Sequence, residues 1–312
     1  MSVIVVGVDG GGTHTRVLVA DERGTVLAEA AGGPSAVRPG EAEASADVIS
    51  ALVRDALISA ELGHLRPRAL CAGVAGTGRE DSREALWRAL VELDVADETV
   101  VHSDAAIALD DAFGDGPGVM LIVGTGSMAL GRGPTGRTAR AGGWGPILGD
   151  EGSGAWLGRR ALGSVAAASD KREPETALTN SILAACEVPD VHGLIAWAAA
   201  ATPSDFAGLV GTVVEVANNG DLRANALIAL AIEELSLHVR SVSRELFGDE
   251  RAAVPVALAG GMMTAGSLIR RRLEHRLKSS VPGGSIHEGE VNAARGAVRG
   301  ALRLLGIGAL SA

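Results

Sequence analysis

The chain has 312 residues, of which 47% are hydrophobic and 21% charged, and it contains 43 glycines. This length exceeds what a single hydrophobic core usually holds, so we expect two domains of an α/β protein. The formal net charge of −10, together with three Phe, four Trp and no Tyr, argues against a nucleic acid or an anionic membrane surface as a partner.

The first domain is predicted over residues 1–115. An apolar strand over residues 3–9 enters the turn Gly-Gly-Gly-Thr at 10–13 and returns as a strand over 14–20. The elements predicted after this hairpin are a strand over 25–30, a helix over 42–62, a strand over 69–75, a helix over 82–93, a strand over 99–102 and a helix over 105–113. The run Gly-Asp-Gly-Pro-Gly at 114–118 then interrupts the pattern.

The second domain, predicted over residues 116–290 with a helical insertion, starts like the first. A strand over 119–123 enters the turn Gly-Thr-Gly-Ser at 124–127 and returns over 128–131. The elements predicted later are a helix from about 154, a helix over 221–247, a strand over 254–259 and a last helix over 291–305 that joins the first domain. The similar halves predict a duplicated fold with a cleft between the copies.

Location and redox state are predicted from apolar runs and cysteine spacing. Met1-Ser2 leads directly into a core strand, and no apolar run approaches the roughly 18 residues of a membrane span. We therefore expect a cytoplasmic protein. Cys71 and Cys186 lack the C-x-x-C spacing of a zinc or redox site, so we expect both to be reduced core thiols.

Both glycine turns favour phosphate binding. Glycine lets backbone N–H groups approach an anion because no Cβ blocks the way. Neither turn is a Walker loop, since both lack the G-K-[ST] ending and lead into a strand. The two lysines of the chain, at 171 and 278, lie away from the turns. We expect metal, backbone N–H groups and the hydroxyls of Thr13, Thr125 and Ser127 to meet the phosphate charge.

Two aspartates are candidates for the chemistry. Asp9 ends a buried strand, where a carboxylate is costly without a partner. A hydrated Mg²⁺ on phosphate oxygens is one such partner, and capping of its own turn is the alternative. Asp104 follows the strand over 99–102, where α/β folds place ligands. It can accept a hydroxyl proton during attack on a γ-phosphate, or it can simply be a helix N-cap.

A dense glycine loop over residues 142–158 carries the adjacent acids Asp150 and Glu151 and leads into a helix. Carboxylates accept hydrogen bonds from neighbouring hydroxyls, which favours recognition of a polyol. The alternative is a solvated loop in which Glu151 stabilises a helix N-terminus. Other polar side chains are given ordinary roles: solvated or capping histidines at 64, 192, 238, 275 and 287, and a solvated helix face for the arginines at 270–272. The alternative for these arginines is the adenine side of a nucleotide site.

Five motifs together carry a family resemblance. They are Asp-Gly-Gly-Gly-Thr at 9–13, Ser-Asp-Ala at 103–105, Gly-Thr-Gly-Ser at 124–127, Gly-Gly-Trp-Gly with Gly-Asp-Glu-Gly-Ser-Gly within 142–154, and Ala-Gly-Gly-Met at 259–262. In this order they resemble the N-acetylglucosamine kinase group of the BadF/BadG/BcrA/BcrD ATPase family, within the actin, Hsp70 and sugar kinase superfamily.

The resemblance implies two ribonuclease-H-like domains that close on Mg-ATP and an amino sugar, transfer of phosphate to the sugar 6-hydroxyl, and a homodimer. By this resemblance Asp104 is the base and a sugar contact, and Asp9 is the metal-side acid. Phosphate and nucleotide contacts are implied for Gly11, Gly12, Thr13, Gly124, Thr125, Gly126, Ser127, Gly220, Gly260 and Gly261. The implied sugar wall consists of Gly143, Trp144, Gly145 and Asp150.

One position departs from the family pattern. After Gly-Gly-Pro-Ser at 32–35 the group usually has an asparagine that touches the sugar, whereas this chain has Ala36. Alanine has no side-chain donor or acceptor, so N-acetylglucosamine, glucosamine, another amino sugar and a muramic acid derivative all stay open. Ser35 or Arg38 can replace the lost contact, and solvation in an exposed loop is the alternative for both; Ser35 is kept as a substrate-binding candidate.

Two other functional classes compete with an amino-sugar kinase. The first is an ATPase that activates a partner enzyme, but such activators share a [4Fe–4S] cluster through cysteines, and neither cysteine here lies beside a glycine pair. The second is a non-catalytic sugar sensor or repressor, but the sequence has no N-terminal helix-turn-helix and no Cys/His zinc cluster. The kinase is the favoured prediction.

Overall fold

The computed structural model describes residues 3–248 and 252–307. The chain forms two compact units, which we call unit 1 (residues 1–116 and 288–312) and unit 2 (residues 117–287). Within the described residues each unit contains one five-stranded sheet with helices packed on it, so the predicted α/β class is confirmed.

Unit 1 alternates strands and helices after an initial three-stranded meander. Its elements in chain order are β1 (Ile4–Gly10), β2 (Thr15–Asp21), β3 (Val26–Gly32), α1 (Ala42–Ser59), β4 (Ala69–Val74), α2 (Glu80–Glu92), β5 (Glu98–His102) and α3 (Asp104–Phe113). The sheet order is β3-β2-β1-β4-β5, with antiparallel pairing in the meander and parallel pairing of β1 with β4 and β4 with β5.

Unit 2 repeats this sheet and adds a block of helices. Its elements are β6 (Gly118–Val123), β7 (Ser127–Arg132), β8 (Thr138–Gly142), α4 (Gly154–Ser169), α5 (Leu178–Ala185), α6 (Gly193–Ala200), α7 (Pro203–Gly208), α8 (Val210–Asn218), α9 (Leu222–Phe247), β9 (Val254–Ala259), α10 (Leu268–Ser280) and β10 (Gly284–Ile286). The sheet order β8-β7-β6-β9-β10 and its pairing directions match those of unit 1. The chain then returns to unit 1 as α11 (Ala293–Leu304).

Both faces of the unit 1 sheet are covered. Side chains alternate between the two faces of a strand, and in β1 Ile4, Val6 and Val8 join one core cluster while Val5 joins the other. The first cluster includes residues of α1 and α2, and the second includes residues of α3 and α11. The central strands β1 and β4 are almost wholly buried and apolar, as expected for the middle of a sheet covered on both sides.

Helix α11 packs against the backbone of two other elements of unit 1. A Cβ added to Gly7 of β1 would lie 2.4 Å from the Val298 nitrogen, and one added to Gly296 would lie 1.9 Å from the Ile107 carbonyl oxygen of α3. Such approaches are possible only without a side chain. Substitution at either glycine would push α11 away from the strand or the helix it covers.

A buried ion pair also ties α11 to α3. The Asp111 side chain is 1% exposed and accepts from Arg295 Nε at 2.6 Å and from Arg295 Nη2 at 2.8 Å. The Asn292 backbone N–H donates to the same carboxylate at 2.7 Å. Because this contact joins residues more than 180 positions apart, no local pattern predicts it.

The predicted elements are present, with shifts at their ends. The helix predicted over 42–62 ends at Ser59, because Glu61 has a φ of 59° and the Leu62 N–H donates to the Leu57 carbonyl. The helix predicted from residue 105 begins at Asp104. Cys71 and Cys186 are free and buried, as predicted. In the described part of the chain, no helix combines the length and apolarity needed to span a membrane.

Candidate active site

Parallel strands place the two candidate aspartates on one edge of the unit 1 sheet. Asp9 is the penultimate residue of β1, and Asp104 follows β5 after one intervening residue, Ser103. The strand between them, β4, runs parallel to both. Ligands of α/β folds bind outside the carboxyl ends of such strands, so the structure brings both acids to the expected edge.

Asp9 lies in an environment that disfavours its charged form. Burial, followed by repulsion from Asp104, raises the pKa of Asp9 to about 6, although Arg16 opposes the shift. Within the described residues no hydrogen bond to the Asp9 carboxylate is recorded, and the turn is closed instead by the Gly11 N–H donating to the His14 carbonyl at 2.9 Å. The Asp9 carboxylate therefore does not cap the glycine turn.

Asp104 is not the N-cap of α3. Ser103 is the cap, and its hydroxyl oxygen accepts from the Ala106 N–H at 3.2 Å. Asp104 is the first helical residue, and its Oδ1 accepts from the adjacent Ala105 N–H at 2.9 Å. Burial raises the pKa of Asp104, and the backbone hydrogen bonds only partly oppose this. The alternative that Asp104 is the N-cap of α3 is therefore wrong, because Ser103 has that role.

The loop that contains Ser35 is fastened to the first glycine turn. The N–H groups of Ser35 and Ala36 both donate to the Gly11 carbonyl at 3.2 Å. Thr15 Oγ1 lies 2.7 Å from the Gly33 carbonyl oxygen and 2.8 Å from Ser35 Oγ. Ser35 is buried, so solvation in an exposed loop is the wrong alternative for it, whereas Arg38 is exposed.

Thr15 and Thr77 are site residues that the sequence reasoning missed. The Thr77 hydroxyl lies 2.7 Å from the Val74 carbonyl at the end of β4 and 2.8 Å from the His102 carbonyl at the end of β5. It therefore links the two strands next to Ser103 and Asp104. Both threonines are fully buried. A threonine within two residues of a glycine turn and next to a buried strand is the signal that could have indicated them.

In unit 2 the second glycine turn is tied to the glycine loop and to α4. The Ser127 hydroxyl donates to the Glu151 carbonyl at 2.7 Å, and the Ser127 carbonyl accepts from the Gly143 N–H at 2.9 Å. The Gly154 N–H donates to the Gly124 carbonyl at 2.9 Å. The predicted phosphate turn and the predicted sugar loop are therefore neighbours in the structure.

Neither acid of the glycine loop caps α4. Ser153 is the N-cap of α4, and its hydroxyl oxygen accepts from the Trp156 N–H. Asp150 is buried and lies so close to the turn that a Cβ on Gly126 would be 2.9 Å from Asp150 Oδ2. Burial raises the pKa of Asp150, and the Ser127 N–H opposes the shift.

Three large apolar side chains of the loop, Trp144, Ile147 and Leu148, are open to solvent. Trp144 is 62% exposed, and the Arg140 guanidinium lies 4.8 Å from its ring centroid. Positive φ angles at Gly143 and Gly145, of 70° and 83°, flank this tryptophan. Positive φ is cheap only for glycine, so these glycines set the direction in which Trp144 points.

Of the glycines predicted to contact the nucleotide, Gly260 and Gly261 lie near the second glycine turn, whereas Gly220 has no recorded contact with it in the described part of the chain. Gly260 has a φ of 97°, and a Cβ there would lie 2.4 Å from the Val123 carbonyl oxygen, immediately before the second turn. Gly261 follows it at the start of a short 3-10 helix. For Gly220, which lies between α8 and α9, the described residues record no contact with the turn.

The structure corrects two ordinary roles. His238 lies under the glycine loop, with an 11% exposed side chain whose Nε2 is 3.8 Å from Glu151 Oε2, rather than in solvent or at a helix cap. Arg270 donates to the Met263 carbonyl, and Arg272 donates to the side chain of Asn225 on α9. Two of the three arginines therefore fasten α10 to its neighbours instead of forming a solvated face.

Asp9 fits a hydrated magnesium ion by its chemistry. Across residues 3–248 and 252–307, no group of three or more His, Cys, Asp and Glu side chains could hold a metal. Mg²⁺ bound through phosphate and water needs only one or two carboxylates. A buried acid with a raised pKa and no recorded hydrogen bond meets that requirement.

Comparisons with known proteins agree with the predicted resemblance. A model of the BadF/BadG/BcrA/BcrD ATPase family matches residues 6–301. The N-acetylmuramic acid/N-acetylglucosamine kinase of Clostridium acetobutylicum is 31% identical over 83% of this chain and 85% of its own. The N-acetyl-D-glucosamine kinase of Dictyostelium discoideum is 29% identical over 91% and 92%.

A solved structure is similar across nearly the whole length. A candidate N-acetylglucosamine kinase from Chromobacterium violaceum superposes with a TM-score of 0.79 at 31% identity, covering 95% of this chain and 98% of that chain. The order of the motifs and the spatial arrangement of the strands thus agree with the same group of proteins.

Proposed function

The chain belongs to the BadF/BadG/BcrA/BcrD ATPase family, and we propose that it is an ATP-dependent amino-sugar kinase that transfers the γ-phosphate to the 6-hydroxyl of N-acetylglucosamine or glucosamine. The observation that carries the proposal is the environment of Asp104. Ser103 is the N-cap of α3, so Asp104 is not required as the cap, and the desolvation of its carboxylate is costly. Such a group is expected where chemistry requires it.

In the proposed reaction Asp104 is the general base. Its raised pKa makes it a stronger proton acceptor than an exposed aspartate. The sugar hydroxyl oxygen bonds to the γ-phosphorus, the bond to the bridging oxygen of ADP breaks, and the hydroxyl proton moves to Asp104. Such a base contributes about 10²–10⁴ to the rate.

The remaining candidates hold the two substrates. Asp9 would hold Mg²⁺, which neutralises charge on the phosphate oxygens when bound. The proposed nucleotide contacts are Gly11, Gly12, Thr13, Gly124, Thr125, Gly126, Ser127, Gly220, Gly260 and Gly261. The proposed sugar contacts are Ser35, Asp104, Gly143, Trp144, Gly145 and Asp150. The contacts of Ser127 with Gly143 and Glu151 support a common position for the turn and the loop.

Two structural observations weigh against the competing classes. Both cysteines are buried, and burial raises the pKa of Cys71 to about 12, which disfavours the thiolate that an iron–sulfur cluster requires. A sugar sensor without catalysis has no use for a buried base beside a second acid. We further propose that the protein is cytoplasmic and that it forms a homodimer. A light-scattering mass of twice 31.5 kDa would support the dimer, and a mass of 31.5 kDa would contradict it.

A coupled assay of ADP release tests the function. Wild-type protein is supplied with ATP, Mg²⁺ and, in turn, glucosamine, N-acetylglucosamine, N-acetylmuramic acid, N-acetylmannosamine and glucose. We expect ADP release to depend on an amino sugar, with the product phosphorylated at the 6-position by mass spectrometry and NMR. ATP hydrolysis at a rate indifferent to every sugar would favour the partner-activating ATPase instead.

A further inference from the structure

His238 faces the glycine loop although it belongs to the long helix α9. Its side chain is 11% exposed, and a Cβ on Gly142 would lie 3.0 Å from His238 Nε2 and 3.0 Å from the Ser127 carbonyl oxygen. The imidazole therefore packs directly against the backbone where β8 ends and the loop begins.

The two ring nitrogens have different surroundings. Nδ1 is buried and, within the described residues, has no hydrogen-bond partner, whereas Nε2 lies 3.8 Å from Glu151 Oε2. A neutral imidazole has one donor nitrogen and one acceptor nitrogen. A buried N–H without a partner is rarer than an unused acceptor, so the proton belongs on Nε2, towards the Glu151 carboxylate.

The charges around the ring keep it neutral. Burial lowers the pKa of His238, while Glu151, Glu234 and Asp150 act in the opposite direction without overcoming it. A neutral donor that approaches a carboxylate orients it without cancelling its charge. Glu151 thus stays available to accept a hydrogen bond from a second donor.

We propose that His238 is a positioning residue for substrate binding: its Nε2–H dipole faces the Glu151 carboxylate from 3.8 Å and orients that carboxylate so that a sugar hydroxyl can donate to it. This inference rests on the proposed function in naming a sugar as the ligand. Glu151 is connected onward, since its carbonyl accepts from the Ser127 hydroxyl at 2.7 Å. The ring therefore supports the loop from beneath, and the sugar would bind from the open side.

Steady-state kinetics separate this role from a purely structural one. His238→Leu removes the donor but keeps an apolar side chain, His238→Gln keeps an N–H donor, and His275→Gln is the control at an exposed histidine on α10. We expect His238→Leu to raise the KM for the sugar about tenfold, because the Glu151 carboxylate loses the N–H dipole that orients it. The KM for ATP should stay within twofold, and the Gln variant should recover most of the loss.

An unchanged sugar KM in His238→Leu would overturn the proposal. So would a parallel rise in both KM values that His238→Gln fails to reduce, because that pattern indicates general disruption of the loop. The control variant should match wild type in every constant, which calibrates the assay.

Nitrogen NMR of labelled histidine tests the same inference without activity. At pH 7 we expect His238 to be neutral with its proton on Nε2, and Glu151→Gln to lower the pH at which it titrates by removing an attracting charge. A proton on Nδ1, or a titration unmoved by Glu151→Gln, would contradict the contact. If wild type phosphorylates no sugar, the proposed function fails, yet this spectrum still decides whether His238 holds Glu151.

Discussion

Unit 1 and unit 2 share one strand order and differ in what stands at equivalent positions. Asp9 of β1 and Ile122 of β6 occupy equivalent positions in the β1–β2 and β6–β7 hairpins. Each forms the pair next to the one that closes its hairpin at the glycine turn. One unit thus carries an acid where the other carries an apolar side chain. The same sheet supports a charge-bearing edge in unit 1 and a glycine-lined edge in unit 2.

The equivalent second strands begin alike. Thr15 of β2 and Ser127 of β7 are both buried hydroxyl residues, and each lies 2.7 Å from a carbonyl of a distant loop, Gly33 in unit 1 and Glu151 in unit 2. The duplicated feature is therefore a hydrogen bond from a hydroxyl beside a glycine turn to a distant loop, whereas the proposed metal-side acid Asp9 and the proposed base Asp104 both lie in unit 1.

The largest expected effect in this comparison is at Asp9. Asp9→Asn should make unit 1 resemble unit 2 in charge and reduce turnover by two or more orders of magnitude, because the acid proposed to hold the metal is lost. Initial rates over a range of Mg²⁺ concentrations measure this. Near-normal turnover at ordinary Mg²⁺ would remove Asp9 from the proposed metal site.

The same variant should be more stable than wild type in the absence of magnesium and nucleotide. The folded-state pKa of about 6 exceeds the ordinary value of 3.8, so ionisation of Asp9 destabilises the fold as pH rises from about 4 through 6. Above pH 7 the gain in unfolding free energy should approach about 3 kcal/mol, and it should vanish below pH 4. Urea titrations at pH 4 and pH 8 check this, and an equal gain at both would contradict it.

A second difference between the units is the helix α11, which covers the second face of the unit 1 sheet. Asp111→Asn should lower the free energy of unfolding by about 2–4 kcal/mol, since it leaves the Arg295 guanidinium without its buried carboxylate. Asp115→Asn is the matched control because Asp115 is exposed and pairs with Arg303. Equal effects of the two substitutions would show that the buried pair is not what holds α11.

The smallest expected effects distinguish the two loop fastenings. Thr15→Val removes the hydrogen bonds of its hydroxyl with the Gly33 carbonyl and Ser35 Oγ, and Ser127→Ala removes the bond to the Glu151 carbonyl. Each substitution should therefore cost about 1–2 kcal/mol of stability. In assays, Thr15→Val should raise the KM for the sugar through the Ser35 loop, and Ser127→Ala should raise the KM for ATP more than that for the sugar. Indistinguishable kinetic profiles would mean that the two hydroxyls have no separate functional roles.

Local sequence signals predicted much of this arrangement. The two glycine turns, the buried strands before them and the positions of Asp9 and Asp104 follow from periodicity and turn chemistry, and all lie on the expected elements. The sequence did not indicate which of Ser103 and Asp104 is the N-cap of α3, because both residue types cap helices well. Only the observed bond to the Ala106 N–H assigns the cap to Ser103.

Contacts between distant segments were beyond local prediction. His238 lies 87 positions after Glu151 in a regular amphipathic helix, so its periodicity indicates only that it is half-buried. The attachment of α11 through Asp111 and Arg295 likewise joins the end of the chain to its first half. Such contacts depend on how helices pack on the sheets, which a single sequence does not encode in any short window.

The most direct test of the central claim compares Asp104→Asn with Ser103→Ala under saturating sugar and ATP. We expect Asp104→Asn to lower kcat by about 10²–10⁴ with little loss of stability, and Ser103→Ala to cost about 1 kcal/mol of stability while keeping most of kcat. Sugar phosphorylation that survives Asp104→Asn at the wild-type rate would contradict the account.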